Sequence, residues 1–177
     1  MPFTSIESAQ QFRAMMVAMA TPGSHHVVEA EAAPGLSVAA TATLMTLVDQ
    51  DTTVFATNSV DTAEFRQWLA FHTGARLVAK QSADFAIGCF EDLLPLTDFK
   101  TGTEEYPDKS CTLIVDGWDQ VEPVTARGPG IEFQVRLNLP SPEQIKDINR
   151  YYPLGLDLFF TEGDQLFAVP RSTRLEV

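Results

Sequence analysis

The residues best placed to do chemistry lie near the end of the chain. Asp157 interrupts the apolar run Leu154-Gly155-Leu156-Asp157-Leu158-Phe159-Phe160, and Arg171 and Arg174 follow the segment that returns from it. A carboxylate in such surroundings needs a partner if buried, because an uncompensated charge is costly in a low-dielectric interior. Two guanidiniums close behind it could supply that partner, or could hold an anionic ligand such as a phosphate. Register argues against the first option. With Gly163-Asp164 as a two-residue turn, Asp157 lies opposite Pro170 and Arg171 points to the other face. Backbone N–H groups of a neighbouring loop are then the expected partners of Asp157, in a structural role. Arg171 and Arg174 remain as candidate contacts for a ligand or a partner. Three loops could shape a cleft: Thr101-Gly102-Thr103, Gly128-Pro129-Gly130 and Pro153-Leu154-Gly155. Glycine lets a backbone approach a ligand closely, although it more often simply makes a turn. Gly102, Thr103, Gly128 and Gly130 therefore join the candidates. His72 does too, as the one histidine on a core-facing helical stripe, where a hydrogen-bonded boundary role is the commoner one.

Assembled catalytic motifs are missing from the sequence. It holds no Walker A run, no GxGxxG after a strand, no GxSxG and no HExxH. Glu104-Glu105 pairs two carboxylates, but on a polar loop nothing would raise one of their pKa values for acid–base work. Lys80, Lys100, Lys109 and Lys146 all lie in polar stretches, so none reads as a desolvated Schiff-base lysine. His25 and His26 are neighbours on an expected strand and face opposite ways, which disfavours shared metal ligation. Cys89 and Cys111 form no CxxC pair, so packed, reduced thiols are expected and no metal site is. No catalytic residue is assigned.

Bulk composition narrows the classes. A chain of 177 residues with 45% hydrophobic residues suits one domain spanning 1–177 with a sizeable core. The net charge of −12 makes a nucleic-acid surface a poor partner. A phosphorylated small molecule is still possible, since a local basic patch is enough to bind one. Nine acids lie between positions 91 and 122 against Lys100 and Lys109, the mark of a solvated face. With neither a secretory leader pattern nor an apolar run of membrane-spanning length, a cytoplasmic protein away from membranes is expected.

Several elements must position these residues. Thr4 followed by Glu7 reads as a capping box, and Phe12, Met15, Met16 and Met19 share one face of the helix it opens. That face is expected to be core, with an adaptable partner surface as the alternative. Residues 36–49 are apolar nearly all round, as in a helix buried between layers. Asp61 is expected to cap the helix carrying Phe65, Trp68, Leu69 and His72. Short strands are expected at 25–29, 52–56, 85–90 and 111–115, with 121–127 as antiparallel partner to the last. Residues 131–139 alternate with period two, as a strand with one wet face does. Ser141-Pro142 opens a helix whose inner face carries Ile145, Ile148 and Tyr152. Residues 151–171 form the closing hairpin. Early helices and late strands predict an α/β fold with a mixed sheet and packed helices.

Several stretches also match one family in order: Phe12-Arg13-Ala14-Met15 with Pro22-Gly23, Leu47-Val48-Asp49, Phe71-His72-Thr73, Gly102-Thr103 with Pro107, and Thr112-Leu113-Ile114. Gly128-Pro129-Gly130-Ile131, Tyr152-Pro153-Leu154-Gly155-Leu156-Asp157 and Pro170-Arg171-Ser172-Thr173-Arg174 complete the set. Together they resemble the PhnH family of the bacterial carbon–phosphorus lyase system. The resemblance implies a fold like the large domain of pyridoxal-phosphate-dependent transferases, without the cofactor lysine and so without pyridoxal phosphate. It implies a homodimer that joins PhnG, PhnI and PhnJ in a complex for phosphonate catabolism. That complex transfers the phosphonate to ribose C1 of ATP with adenine release, before the C–P bond is cleaved. The implied role is that of an accessory subunit of this ribose 1-methylphosphonate 5-triphosphate synthase, without activity alone. The alternative is a binding or catalytic unit for a phosphorylated or ribosyl phosphonate ligand.

Overall fold

A computed structural model of the chain describes residues 4–177. Ten strands and five α-helices form three layers around a seven-stranded sheet. The strands are β1 (His26–Val27), β2 (Thr53–Ala56), β3 (Arg76–Leu77), β4 (Phe85–Gly88), β5 (Thr112–Asp116), β6 (Glu122–Arg127), β7 (Val135–Leu139), β8 (Asp157–Glu162), β9 (Gln165–Val169) and β10 (Arg174–Glu176). The helices are α1 (Ser5–Ala20), α2 (Val38–Leu47), α3 (Ala63–His72), α4 (Phe90–Leu93) and α5 (Pro142–Ile148). The large sheet runs β1-β9-β8-β5-β4-β2-β3, and β6 lies between β10 and β7 in a separate three-stranded antiparallel sheet. The large sheet is mixed, as expected: β3, β2, β4, β5 and β8 are parallel, while β9 and β1 complete it antiparallel.

Side-chain alternation divides the core between the two faces of this sheet. Ile87, Ile114 and Phe159 point toward α1, α2 and α3, whereas Ala86, Leu113, Val115, Leu158 and Phe160 point toward the small sheet and α5. Helix α2 contributes Ala40 and Leu44 to one cluster and Ala39 and Ala42 to another, which is why it is apolar nearly all round. The closing hairpin forms as its turn residues dictate. Glu162 pairs with Gln165 around Gly163-Asp164, and the stacked rings of Phe160 and Phe167, 4.9 Å apart, are directly opposed.

Local details depart from expectation for physical reasons. The capping box forms between Thr4 and Glu7, but on the helix behind it Met15 is buried while Phe12 and Met16 are 50% and 54% exposed. The α3 cap is Thr62, whose side chain accepts from Phe65 N; Asp61 instead pairs with Arg66 at 2.6 Å. Strand β5 does not pair with β6. Leu113, Ile114 and Val115 are buried on both faces, the pattern of a central parallel strand, and its neighbours are β4 and β8. The period-two stretch becomes a strand only from Val135, because its partner β6 turns away after Arg127; Phe133 is left exposed. Helix α5 ends at Ile148, so Tyr152 lies beyond it and is exposed instead of facing the core. Ser141 precedes α5 in a left-handed conformation and makes no side-chain capping bond.

Among the described residues no helix is long and apolar enough to cross a membrane.

Candidate functional site

The segment after β9 decides where the two late arginines go. Pro170 offers no N–H to the ladder, and Thr173 N turns back to Pro170 O at 2.9 Å. Strand alternation therefore stops at Val169, and Arg171 does not face away from Asp157 as register arithmetic requires. It wraps around it. Arg171 N donates to Asp157 Oδ1 at 2.8 Å, and Nε and Nη2 both donate to Oδ2, at 3.1 and 2.5 Å. The remaining guanidinium nitrogen, Nη1, donates to Pro107 O at 2.6 Å. Asp157 thus has a side-chain partner as well as the expected backbone N–H. The side chains are 16% and 21% exposed, and together they tie the start of β8 to the exit of β9 and to the loop at 101–110.

Arg174 lies on the other side of that turn, at the start of β10. In the β10–β6 ladder it stands directly opposite Arg127, with Leu175 opposite Ala126 and Glu176 opposite Thr125. Leu175 and Ala126 are buried, so Arg127, Arg174 and Glu176 share the outer face. An open cleft of about 770 Å³ lies here, within the size range of small-molecule sites. Its basic lining is Arg127, Lys146, Arg150, Arg171 and Arg174, five of the chain's twelve Lys and Arg residues, and Glu176 is its one acid. Arg127 Nε meets Glu176 Oε1 at 2.9 Å, and its Nη2 donates to Gln134 Oε1 at 2.6 Å. Arg150 pairs with Asp147 and Lys146 with Glu143, at 2.8 and 3.9 Å, all of them exposed. Arg174 has no polar partner among the described residues. Thr173 Oγ1, in a cleft-lining residue only 5% exposed, also lacks a hydrogen-bond partner there.

The fold gathers some of the candidates and disperses others. Gly128, Arg171 and Arg174 line the cleft. Gly130 stands just outside it with φ +79°, where a Cβ would lie 1.8 Å from Ala20 O; it lets the small sheet close against the end of α1. Gly102 sits at φ +84° under the Pro107 backbone, and Thr103 Oγ1 accepts from Tyr106 N within the same loop. These two support the loop that Arg171 holds. His72 is remote, at the end of α3 between Trp68 and Phe71. Arg127, Lys146 and Arg150 line the cleft too, although they are not among the sequence candidates. Their signals in the sequence are the position of Arg127 beside Gly128 and the four-residue spacing of Lys146 and Arg150.

Other reactive groups are taken up structurally. Lys80 is not in the polar setting its neighbours suggest. Its Nζ lies 5.6 and 5.3 Å from the ring centroids of Phe55 and Phe99, and donates to the carbonyls of Leu93 and Leu94. Burial pushes the Cys111 thiol up to about 12 and raises that of Cys89, so both are poor nucleophiles near neutrality. Among the described residues no group of three or more His, Cys, Asp or Glu side chains is arranged to hold a metal.

Residues 4–176 match the family model of the bacterial phosphonate metabolism protein PhnH. The chain belongs to this family. A similar protein from Rhizobium meliloti (strain 1021) is the alpha-D-ribose 1-methylphosphonate 5-triphosphate synthase subunit PhnH. It is 34% identical over 184 residues, covering 96% of this chain and 90% of the relative. A putative C-P lyase subunit protein, HtxG, from Stutzerimonas stutzeri is 26% identical over 174 residues, covering 94% of this chain and 84% of the relative. The match includes every strand and helix that builds the cleft.

Proposed function

We propose that this chain is an accessory subunit of a carbon–phosphorus lyase complex for organic phosphonates. In this reading it works in the cytoplasm, as a homodimer with PhnG, PhnI and PhnJ partners, and supports transfer of the phosphonate to ribose C1 of ATP. It has no cofactor or turnover of its own. The observation that carries the reading is the family match over residues 4–176, joined by two relatives that are themselves named as subunits. An apolar groove of about 440 Å³ lined by Phe12, Met16, Met19, Leu47, Phe159 and Pro170 adds a surface suited to assembly.

The test is co-expression of the tagged chain with the neighbouring phosphonate gene products. Stoichiometric co-purification is expected, with no adenine release from ATP and methylphosphonate by the isolated chain. Adenine release by the chain alone, lost on replacing a cleft arginine, would contradict the accessory role.

A second reading, a binding unit for a phosphorylated small molecule, is favoured by one specific observation: the basic lining of the cleft in a chain of net charge −12.

A further inference from the structure

The cleft holds positive charge that the fold itself does not use. Arg127 and Arg174 are cross-strand neighbours, and like charges directly opposite each other destabilise a ladder. One of them, Arg127, is partly neutralised by Glu176; the other, Arg174, has no such relief among the described residues. Lys146 and Arg150 approach from α5 and the turn after it, in exposed pairs with Glu143 and Asp147 that contribute little, and Arg150 also lies over the Tyr151 ring, 6.0 Å from its centroid. Thr173, in the same wall, keeps its Oγ1 buried and without a hydrogen-bond partner among the described residues.

We propose that this cleft binds the polyphosphate chain of a small molecule, an inference that rests on the second reading above. The charge count separates a polyphosphate from a single phosphate group. A phosphate monoester carries about two negative charges. Arg171 is committed to Asp157 and Arg127 is shared with Glu176, but the Arg174 side chain is unpaired among the described residues, and the exposed pairs of Lys146 with Glu143 and Arg150 with Asp147 can give way to an anion. They come from two segments, Lys146 and Arg150 from α5 and the turn after it and Arg174 from β10, so a chain of linked phosphates meets them better than one group. Guanidinium forks suit phosphate oxygens, each presenting paired N–H donors to two acceptors. Glu176 holds Arg127 in the free protein and gives way when the ligand's own oxygens arrive.

Isothermal titration of the purified full chain with inorganic tripolyphosphate, pyrophosphate, phosphate, ribose 5-phosphate and ATP tests this. Tripolyphosphate should bind at least about tenfold more tightly than phosphate, with affinity falling steeply as salt is raised. Arg174→Gln and Lys146→Gln should each weaken it by roughly fivefold to twentyfold while leaving the melting temperature unchanged. Glu176→Gln should tighten it, because Arg127 is released, and His72→Ala should have no effect. ATP binding as tightly as tripolyphosphate would show that the phosphates carry recognition; tighter ATP binding would add a seat for the base. Both support the proposal. Phosphate and ribose 5-phosphate binding as tightly as tripolyphosphate would overturn the polyphosphate assignment while leaving the phosphorylated-ligand reading in place. Absence of heat from every probe at millimolar concentration would remove both. Tripolyphosphate binding indifferent to Arg174→Gln and Lys146→Gln, or displaced by an acidic peptide of higher affinity, would also overturn the proposal.

Discussion

Arg171 and Arg174 are separated by one tight turn, and their surroundings are opposite. The first uses all three guanidinium nitrogens and its backbone N–H, on Asp157 and Pro107 O, and its side chain is 16% exposed. The second stands across a ladder from another arginine and meets no polar partner among the described residues. A guanidinium satisfied in the fold holds elements together; one left unsatisfied beside others is available to an anion. Residue type alone does not distinguish them, and burial together with partner count does.

The structural half of this contrast is used twice in the sheet. Asp84 precedes β4 as Asp157 begins β8, and each carboxylate takes one backbone N–H and one cation. For Asp84 these are Thr53 N at 2.9 Å and Lys100 Nζ at 2.6 Å, with Thr53 Oγ1 donating at 2.7 Å. Both acids therefore lock the N-terminal ends of parallel strands to a neighbouring segment, and neither is free for chemistry.

The largest effect should come from breaking the tighter lock. Asp157→Ala leaves Arg171 partly buried without its anion and removes a backbone bond. We expect a loss of about 2–4 kcal/mol in chemical denaturation. A smaller loss, within about 0.5 kcal/mol, would place Arg171 among the free cations instead. The Asp84 lock should show itself in pH. Burial alone would raise its pKa, but the bonds from Lys100 and Thr53 outweigh it and hold the carboxyl below its ordinary value. A folded-state pKa below the unfolded one contributes stability that is full above the unfolded pKa and is lost as pH falls through the folded one. Asp84→Asn should therefore flatten the acid limb of a stability–pH profile below the ordinary carboxylate pKa. An unchanged limb would contradict that assignment. The smallest effect belongs to the cleft wall. Thr173→Val removes an unpaired buried hydroxyl and should be neutral or stabilising by up to about 1 kcal/mol. A clear loss of stability would mean that the hydroxyl has a structural partner.

How much of this was legible in the sequence differs between the same two regions. The hairpin could be read because its determinants are local: a Gly-Asp turn flanked by runs whose alternation fixes the register. The buried helix α2 was equally plain, since residues apolar all round have no wet face to offer. The Asp157–Arg171 lock is not legible from alternation, because the ladder ends at Val169 and the turn after Pro170 brings Arg171 back over Asp157. The β5 pairing is not legible from sequence adjacency, because β5 pairs with β4 and β8, which share its two-sided burial, and not with β6, which follows it. The cleft could not be assembled from spacing. Arg127, Lys146 and Arg174 are brought together by the β10–β6 ladder and by the packing of α5, both long-range contacts. Of the candidates, Gly128, Arg171 and Arg174 converge there, while His72, Gly102, Thr103 and Gly130 support other parts of the fold.

The most direct test of this division puts Arg171→Ala and Arg174→Ala through the same two assays, thermal unfolding and tripolyphosphate titration. Arg171→Ala should lower the melting temperature by about 5–15 °C, whereas Arg174→Ala should leave it within about 2 °C and cut affinity for the anion by roughly tenfold. Equal losses of melting temperature in the two variants, or unchanged affinity in Arg174→Ala, would contradict the account.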